Sequence, residues 1–578
     1  MRPVLSEGLS AYRRGYFSPS KEERKVFLVP AQTKQFVCSA RCALGGTRTP
    51  NNRFEACRDI HFTTRAVKCL HKIQQKWRLI KVYANINLMK ESLPIPASVL
   101  ETVKVLENKG FMAYIVGGSL RDLLLGREPK DWDIATSAKP GEIEALYPKT
   151  FYNNSFGTVT VVNEDEKDET LKNIEITPFR LEGKYTDFRH PDEVTFSDKI
   201  EDDLKRRDFT INAIAYRTET GEWLDPFGGI KDLKDNLLRA VGEPEERFKE
   251  DPLRVMRGIR LSTELNLKIE PKTAEGIKKM APLLDKIAVE RIREELEKLI
   301  MSRQPMAGLK LMAEMGVMEY VIRETLEGLG VEQNGDHIYD VWEHTLRVLQ
   351  HSADKDWPLH VRLAALFHDV GKPRTRRFSE EKKDYTFYGH EVVGAKMAKK
   401  IMERLKFPMK LTETVEKLVR NHMFFTDIDK ITLSAVRRIV AKVGADNVWD
   451  LMKVRACDRI GMGRPKEAPY RLRKYESMIE EAMRAPTSVT MLKIDGGDVI
   501  RETGEKPGPR IGFILHALLE EVLDKPELNT KEVLIEKAKE LASLKDGELK
   551  KRGEAGKEAK EEKEEEELAV IRKRHGVK

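Results

Sequence analysis

What most constrains the fold of this chain is a short apolar run that ends at two consecutive glycines. The run F-M-A-Y-I-V, residues 111–116, predicts a buried strand, and the helical pattern after Gly117 and Gly118 predicts a tight strand-to-helix turn. Backbone N–H groups in such a turn can approach a phosphate, and the helix N-terminus adds partial positive charge. Arg121 lies in the first helical turn and can reach the same anion. Taken alone, a glycine pair is more often structural than functional.

Two aspartates follow this turn at a spacing that favours metal binding. Asp131 and Asp133 flank Trp132 on a predicted strand, where alternation places both carboxylates on one face and the indole on the other. Neighbouring oxygen ligands suit Mg²⁺, which takes one or two carboxylates together with substrate phosphates. Two such ions can activate an attacking 3′ hydroxyl and stabilise a leaving pyrophosphate. We therefore predict that both aspartates are catalytic and bind Mg²⁺.

A second block, residues 179–216, contains two adjacent arginines. Arg206 and Arg207 stand just before an apolar segment, which can anchor a basic pair that meets a triphosphate or a ribose. The alternative is a surface charge cluster at the start of a helix. Residue types alone leave both interpretations open.

The third block, E-D-P-L-R-V-M-R-G-I-R, covers residues 250–260. If the block is one helix, Asp251, Arg254 and Arg257 share one side of it and apolar residues cover the other. Such a face can be a solvated, salt-bridged surface. An acid and an arginine together also offer an acceptor and a donor to the edge of a base. Pro252 fits an early helical position, where its missing N–H costs little.

Taken in order, these motifs resemble class II of the nucleotidyltransferase superfamily, the bacterial tRNA CCA-adding enzymes and their poly(A) polymerase relatives. The resemblance runs from about residue 94 to 300. It implies template-independent addition of CMP and AMP, from CTP and ATP, to the 3′ end of tRNA, with Mg²⁺ as cofactor. Asp251 as acceptor and Arg254 as donor would select C or A in place of a template. The implied nucleotide-binding residues are Gly118, Arg121, Arg207, Asp251, Arg254, Arg257 and Arg260.

Two segments bear on which polymer is extended. The loop at about 180–196 matches a mobile element that the resembling enzymes need for adding the terminal A, and its completeness counts against CC-only addition. The run N-S-F-G-T-V-T-V-V, residues 154–162, stands where poly(A) polymerases of this class carry a basic stretch, which favours CCA addition. Addition of only the final A, and synthesis of poly(A), stay open as alternatives.

Histidines and aspartates on separate predicted helices form a second metal-ligand pattern downstream. Imidazole and carboxylate ligands suit Mn, Fe, Ni, Co or Zn better than an all-oxygen site does. The run from about 337 to 460 resembles an HD phosphohydrolase domain, which implies phosphatase or 2′,3′-cyclic phosphodiesterase activity. The implied metal ligands are His344, His368, Asp369 and Asp458, with His390 and His422 for a second site or for phosphate. A rival interpretation is a metal phosphohydrolase whose head merely binds RNA.

We predict an α+β fold, because strand-like runs precede residue 230 and helical patterns dominate after it. A small mixed β-sheet nucleotidyltransferase head is followed by an all-helical neck and body, an HD helical domain and a tail. Residues 287–300 are predicted to pack in the neck. The predicted boundaries are 89–230 for the head, 231–330 for the neck, 331–465 for the HD domain, 466–540 for a C-terminal helical tRNA-binding unit and 541–578 for a charged tail.

The net charge of +8 is unevenly distributed. Residues 1–88 hold 17 Lys and Arg against 5 Asp and Glu, so the remaining chain carries a net charge of −4 and any RNA-binding surface must be a local patch. We favour the interpretation that residues 1–88 are a spurious extension before Met89, over a basic disordered or targeting segment. The cysteines of this segment have spacings that fit no usual zinc site: Cys38, Cys42, Cys57 and Cys69.

Two features of composition bear on location. The five cysteines of the whole chain are irregularly spaced, which favours a reducing compartment. No uninterrupted apolar run reaches the length of about 18 residues that a membrane-spanning helix needs. We expect a cytoplasmic protein with no membrane partner, and the oligomeric state stays unknown.

Overall fold

The computed structural model of the protein describes residues 93–153, 157–181, 195–333, 337–423, 431–483, 489 and 492–577. These residues all belong to one unit of the chain, Leu79–Lys578. The predictions for residues 1–88 lie outside the described residues, as does most of the loop at 180–196. Both ends of that loop are described, and they are held together because Leu181 N–H donates to the Thr195 carbonyl at 2.9 Å.

The head is built on a seven-stranded mixed sheet. Its strands are β1 (Ala113–Val116), β2 (Trp132–Thr136), β3 (Thr150–Asn153), β4 (Thr158–Val162), β5 (Asn173–Pro178), β6 (Ala215–Arg217) and β7 (Glu222–Leu224). They lie in the order β3-β4-β5-β2-β1-β6-β7. Neighbours pair antiparallel except β2 and β5, which run parallel. The predicted mixed sheet is confirmed, and its strands at 111–116, 158–162 and 174–179 correspond to β1, β4 and β5.

Both faces of this sheet are covered. The head helices are α1 (Ala97–Asn108), α2 (Gly118–Leu124), α3 (Pro140–Leu146), α4 (Ile200–Lys205) and α5 (Gly229–Lys234). Alternation along β1 sends Ala113 and Ile115 into the main core with α1, α2 and α3. Tyr114 and Val116 point the other way and join a second cluster with α4 and Phe179.

The neck is helical apart from a parallel pair of two-residue strands, β8 (Leu237–Leu238) and β9 (Lys268–Ile269). Its helices are α6 (Pro244–Glu250), α7 (Leu253–Leu265), α8 (Pro271–Met280), α9 (Val289–Met301), α10 (Pro305–Glu314) and α11 (Met318–Val321). Ile292, Leu296 and Leu299 of α9 are buried in the main core, which confirms the predicted packing role of 287–300.

The single helix expected over residues 250–260 is wrong at its start. Helix α6 ends at Glu250, Asp251 is extended with φ −139° and ψ 97°, and Pro252 is the N-cap of α7. The physical reason is Pro252, which has no N–H to continue α6 and disfavours helical geometry at the residue before it. Asp251 therefore lies between two helices, while Arg254 and Arg257 lie on α7.

The HD region adds further helices and one hairpin. The helices are α12 (Val341–Asp354), α13 (Leu359–Phe367), α14 (Lys372–Thr375), α15 (His390–Arg404), α16 (Met409–Asn421), α17 (Leu433–Val443) and α18 (Ala445–Gly461). Strands β10 (Arg377–Ser379) and β11 (Asp384–Thr386) pair antiparallel, an exception to the expected all-helical body. The predicted metal ligands lie on these helices or directly at their ends.

The C-terminal part is helical to its end. Its helices are α19 (Tyr470–Met483), α20 (Gly496–Thr503), α21 (Pro509–Asp524), α22 (Lys531–Ala542) and α23 (Asp546–Arg574). The charged composition predicted a solvated helix or a disordered tail, and the structure has a 29-residue helix, α23, which packs on α21. A Cβ at Gly556 would lie 2.5 Å from the His516 carbonyl oxygen. Glycine therefore permits a close helix contact that composition does not reveal. Across the described residues, we find no helix long and apolar enough to cross a membrane.

This close contact predicts opposite effects for two glycine substitutions in α23. Gly556→Ala should lower the free energy of unfolding by about 1–3 kcal/mol, because the new methyl group overlaps backbone atoms. Gly547→Ala is the matched control, since nothing lies within 4 Å of its Cβ position. It should raise stability by up to about 1 kcal/mol through helix propensity. Urea unfolding of the full chain measures both, and equal effects would contradict the packing described here.

Candidate active sites

The turn between β1 and α2 is shaped by Gly117. Its φ of 76° and ψ of −134° belong to a region that residues with a Cβ rarely enter. A Cβ at this position would lie 2.8 Å from Arg207 Nη1 and 3.2 Å from Asp133 Oδ2. The absence of a side chain at Gly117 thus lets a guanidinium and a carboxylate approach the backbone from neighbouring elements.

Gly118 begins α2 and brings a second charged pair together. Its Cβ position is 3.5 Å from Arg121 Nη2 and 3.8 Å from Asp131 Oδ1. Arg121 is held in place because its Nη1 donates to Asn212 Oδ1 at 2.7 Å and its other nitrogens bond Asp122. The two predicted aspartates therefore lie beside the glycine turn, one at each glycine.

Asp133 lies on β2, opposite Val116 of β1, and Asp131 directly precedes the strand. Trp132 is buried in the core on the other side, as the alternation predicts. Burial raises the pKa of Asp133 to about 6, with Asp131 adding to the rise and Arg207 opposing it. Neither aspartate forms an ion pair with any described residue. Such carboxylates favour a cation, because it offsets both their burial and their mutual repulsion.

Sequence reasoning missed a third carboxylate, Glu175. It lies on β5 as the register partner of Asp133 in the parallel β2–β5 pair. Burial and the nearby Asp131 raise the pKa of Glu175. The signal was the alternation I-E-I at 174–176, which sets an acid between two buried residues, but it does not show which strand pairs with β5.

Asp203 positions the two arginines of the second block. Its carboxylate is fully buried, and it accepts hydrogen bonds from Arg206 and from Arg207, whose Nη2 is 3.0 Å away. Burial alone would raise the pKa of Asp203, but the two guanidinium groups hold it below its usual value. This aspartate was not predicted as part of the site. It fixes Arg207 against Gly117 and Asp133.

The residues expected to read a base are already paired with neighbours. Asp251 accepts two hydrogen bonds from Arg291 of α9, at 2.8 and 3.2 Å. Arg254 Nη1 donates to Glu250 at 2.8 Å, and its Nη2 donates to the Arg206 carbonyl at 3.0 Å. Helix α7 is thereby joined to the arginine pair beside the glycine turn, and Arg291 orients Asp251.

The next two arginines of α7 differ in their surroundings. Arg257 donates to the buried carboxylate of Asp208 at 2.9 Å, next to Arg207 in the chain. Burial would raise the pKa of Asp208, yet Arg257 and Asn212 hold it well below its ordinary value. Arg260 instead bonds Glu295 of α9 at 2.6 Å. The structure thus places Arg257 beside the nucleotide-site candidates and Arg260 between two neck helices.

The HD side chains converge on one buried centre. His344, His368, Asp369 and Asp458 form a group whose ligand atoms all lie within 4.8 Å of one another. His344 Nε2 is 3.2 Å from Asp369 Oδ2 and 3.3 Å from Asp458 Oδ1. All four residues are buried. The resemblance to an HD domain implied this set, and the fold brings every member together.

A second group shares one ligand with the first. Asp369, His390 and His422 also lie within 4.8 Å of one another through their ligand atoms. The two oxygens of Asp369 serve different groups, since Oδ1 is 3.3 Å from His390 Nε2 while Oδ2 faces His344. Asp369 is therefore the one residue that both groups share, and it would supply an oxygen to each if both held a metal.

The histidines are oriented from behind by backbone carbonyls. His368 Nδ1 lies 2.8 Å from the Ala365 carbonyl oxygen, and His390 Nδ1 lies 2.8 Å from the Phe387 carbonyl oxygen. His422 repeats this contact at 2.7 Å with the carbonyl of Val419. Donation from Nδ1 leaves each Nε2 without a proton and available as a ligand. The donor set of imidazoles and carboxylates fits a transition-metal ion.

Charged neighbours complete this centre. Burial alone would raise the pKa of the Asp369 carboxyl. His368 and Lys372 nevertheless hold this pKa well below its ordinary value. Lys372 Nζ lies 2.7 Å from Asp369 Oδ2. A cavity of about 450 Å³ opens onto Asp369, His390, His422 and Asp458. The centre is thus accessible to a molecule the size of a nucleotide.

Three known protein families match this chain in the order head, neck and HD region. The Poly A polymerase head domain matches residues 113–239. The probable RNA and SrmB-binding site of polymerase A matches residues 266–329, and the HD domain matches residues 341–462. The CCA-adding enzyme of Leuconostoc mesenteroides is 34% identical over 439 residues, which cover 75% of this chain and 94% of that protein. This chain belongs to the CCA-adding enzyme family.

Two further comparisons agree with this family. The CCA-adding enzyme of Limosilactobacillus reuteri is 35% identical over 437 residues, covering 75% of this chain and 94% of that protein. A solved structure, the CCA-adding enzyme of Bacillus stearothermophilus in complex with CTP, has a TM-score of 0.50 and 30% identity, and covers 77% of this chain and 98% of that one. The resemblance drawn from the motifs is confirmed. Nucleotidyltransferase and HD domains imply that the activity depends on divalent metal ions.

The buried position of Asp203 gives a stability prediction for the head. Asp203→Ala should lower the free energy of unfolding by about 3–5 kcal/mol, because it leaves two guanidinium groups without their shared carboxylate. Glu201→Ala, on the exposed side of α4, is the control and should change stability by less than about 0.5 kcal/mol. Denaturant unfolding of both variants tests this, and a small loss for Asp203→Ala would show that the arginines are held by other contacts.

Proposed function

We propose that this protein adds CMP and AMP, from CTP and ATP, to the 3′ end of tRNA lacking a complete CCA. The observation that carries the proposal is the convergence of Asp131, Asp133 and Arg207 on the glycine turn after β1. Cation-seeking carboxylates and a phosphate-binding turn at one sheet edge are what nucleotidyl transfer requires. Since tRNA is matured in the cytoplasm, we also propose that location.

The proposed roles follow from these positions. Asp131 and Asp133 would hold Mg²⁺, a fit supported by their crowding and by the absence of an ion-pair partner among the described residues. When bound, Mg²⁺ would stabilise charge on the phosphate oxygens. Arg121 and Arg207 would bind the triphosphate beside the turn at Gly118. The 3′ oxygen then bonds the α-phosphorus, the bond to pyrophosphate breaks, and the hydroxyl proton is released.

Base selection is proposed for Asp251 and Arg254. Arg291 and Glu250 hold these side chains at the start of α7, so an acceptor and a donor are both held in position there. A cytosine or an adenine can exchange hydrogen bonds with this pair at little conformational cost. Arg257 would line the same pocket through its contact with Asp208. For Arg260, which bonds Glu295, we propose the weaker role of supporting the pocket.

The reaction itself tests this function. Full-length protein should extend tRNA trimmed by its last three nucleotides to the complete CCA end when CTP, ATP and Mg²⁺ are present. CTP alone should stop at CC, and ATP alone should add nothing, because the base pocket selects in order. Product sequencing decides the outcome. Extension by ATP alone into a homopolymer would establish a poly(A) polymerase, and activity only on tRNA already ending in CC would establish an A-adding enzyme.

The same assay tests the metal-binding aspartates. Asp133→Asn should abolish incorporation of both nucleotides, because the amide cannot supply a charged ligand to Mg²⁺. Asp165→Asn makes the same change at an exposed turn between β4 and β5 and should leave incorporation unchanged. Normal incorporation by Asp133→Asn would remove the basis of the proposal.

A second activity is proposed for the HD centre, namely hydrolysis of a phosphoester. The observation that favours it is the pair of ligand groups joined by Asp369. Bound Mn, Fe, Ni or Co would act as a Lewis acid toward the phosphate. Lys372, beside Asp369, can neutralise charge on a phosphoryl oxygen. In the reaction water bonds to phosphorus, the P–O bond to one ribose oxygen breaks, and that oxygen takes up a proton.

The two activities should separate by mutation. His368→Ala should lose bound transition metal, measured by elemental analysis, together with hydrolysis of bis(p-nitrophenyl) phosphate. It should retain CCA addition, because the head supplies a different site. His360→Ala is the control, since His360 lies on α13 and pairs with Asp450 outside both ligand groups. Unchanged metal content in His368→Ala would refute the proposed ligand set.

We also propose the domain boundaries expected from the sequence: a head at 89–230, a neck at 231–330, an HD domain at 331–465 and a C-terminal unit from 466 that contacts tRNA. Support for the last comes from a separate apolar cluster built on α20, α21 and α22. Leu549 of α23 belongs to the same cluster, so the tail from 541 is part of this packed unit.

A further inference from the structure

A second cavity adjoins the HD centre and plays no part in the metal sites. It has a volume of about 480 Å³ and lies between the C-terminal end of α18 and the start of α19. Four arginines line it, and no acidic residue is among the described residues of its wall: Arg455, Arg459, Arg464 and Arg471. We call this cavity the arginine pocket. Guanidinium groups gathered around one space favour an anionic occupant, because their charges repel one another.

The arginine pocket and the HD cavity share part of their walls. Arg455 and Met462 line both. Arg455 Nη1 donates to Asp458 Oδ2 at 2.5 Å, while Asp458 Oδ1 faces His344. One carboxylate therefore links the metal-ligand group to the wall of the arginine pocket. An anionic chain that reaches the HD centre has the arginine pocket directly beside it.

Two of these arginines are prepared to receive an anion. Arg459 Nε donates to the Lys466 carbonyl at 2.7 Å, which fixes the side chain. In the part of the chain that the structure describes, neither Arg459 nor Arg471 pairs with a carboxylate. Arginine binds phosphate with a planar pair of donors. Without a carboxylate partner among the described residues, their donors are left for a ligand.

An aromatic ring adds a feature that simple anion sites lack. Tyr470 lines the pocket and is 45% exposed. Exposed tyrosine rings beside arginines stack nucleobases while the cations hold the backbone. The volume of the pocket suits one nucleotide.

We propose that the arginine pocket binds the nucleotide next to the phosphoester that lies in the HD centre, so that the HD substrate is an RNA strand. This inference rests on the proposed phosphoesterase function. The pocket selects a chain of at least two nucleotides over a mononucleotide, because only a chain has a second phosphate to place against Arg459 and Arg471.

Chemical protection tests the pocket without relying on activity. Phenylglyoxal modifies accessible arginines, and peptide mass spectrometry measures the rate at each position in the Mn²⁺-loaded full-length protein. A 2′-O-methyl oligouridylate, which resists cleavage, should slow modification of Arg459 and Arg471 by about tenfold. Arg438, exposed on α17, is the control and should react at an unchanged rate. Equal rates with and without RNA overturn the proposal, as does equal protection by inorganic phosphate.

Kinetics separate this inference from the phosphoesterase proposal. The double variant Arg459→Ala with Arg471→Ala should raise the ratio of KM for a 5′-phosphorylated uridine dinucleotide, which carries two phosphates, to KM for bis(p-nitrophenyl) phosphate by about tenfold. Arg438→Ala removes the same type of charge outside the pocket and should leave the ratio unchanged. If wild-type protein hydrolyses neither ester, the phosphoesterase proposal fails, and the protection experiment alone decides the pocket. An unchanged ratio in the double variant overturns the inference.

Discussion

The buried carboxylate of Asp203 is the contact on which the head site depends. It bonds both Arg206 and Arg207, and this double contact directs Arg207 to the backbone at Gly117. Without the carboxylate, two guanidinium groups would repel each other beside Asp133 and the direction of approach would be undefined. The Arg206 carbonyl in turn accepts a hydrogen bond from Arg254 of α7. One ion-pair cluster thus positions Arg207, for which we propose phosphate binding, and contacts helix α7 through Arg254.

The HD centre uses the same principle with a different ligand chemistry. Asp369 contacts histidines of both ligand groups, and backbone carbonyls behind three of those histidines fix the ring orientation. Each site therefore contains one carboxylate that contacts several functional side chains: Asp203 in the head and Asp369 in the HD centre. Ring nitrogens favour a transition metal in the HD centre, whereas the oxygen-only head favours Mg²⁺.

The sequence predicts those parts of the sites that lie close together along the chain. Strand alternation placed Asp131 and Asp133 on one face of a predicted strand, and the resemblance to an HD domain implied the ligands of the second centre. Glu175 and Arg291 were missed because each reaches the site through pairing between elements far apart in the chain. Asp203 was missed although it lies only three and four residues before the arginines that it bonds. The break in the helix at Asp251 could have been predicted from Pro252, because the residue before a proline disfavours helical geometry. The prediction of one helix over residues 250–260 did not take this into account. Close glycine packing in α23 is likewise invisible in a composition dominated by charge.

The two centres differ in how complete they are before a substrate arrives. Among the described residues, only HD side chains form groups of three or more ligand atoms within 4.8 Å of one another. The head offers two aspartates, and Glu175 lies opposite Asp133 on the neighbouring strand. An ion there would depend on phosphate oxygens for the rest of its coordination. At the proposed head site, Mg²⁺ would therefore bind together with the nucleotide, whereas the HD side chains supply enough ligands to hold a metal without one.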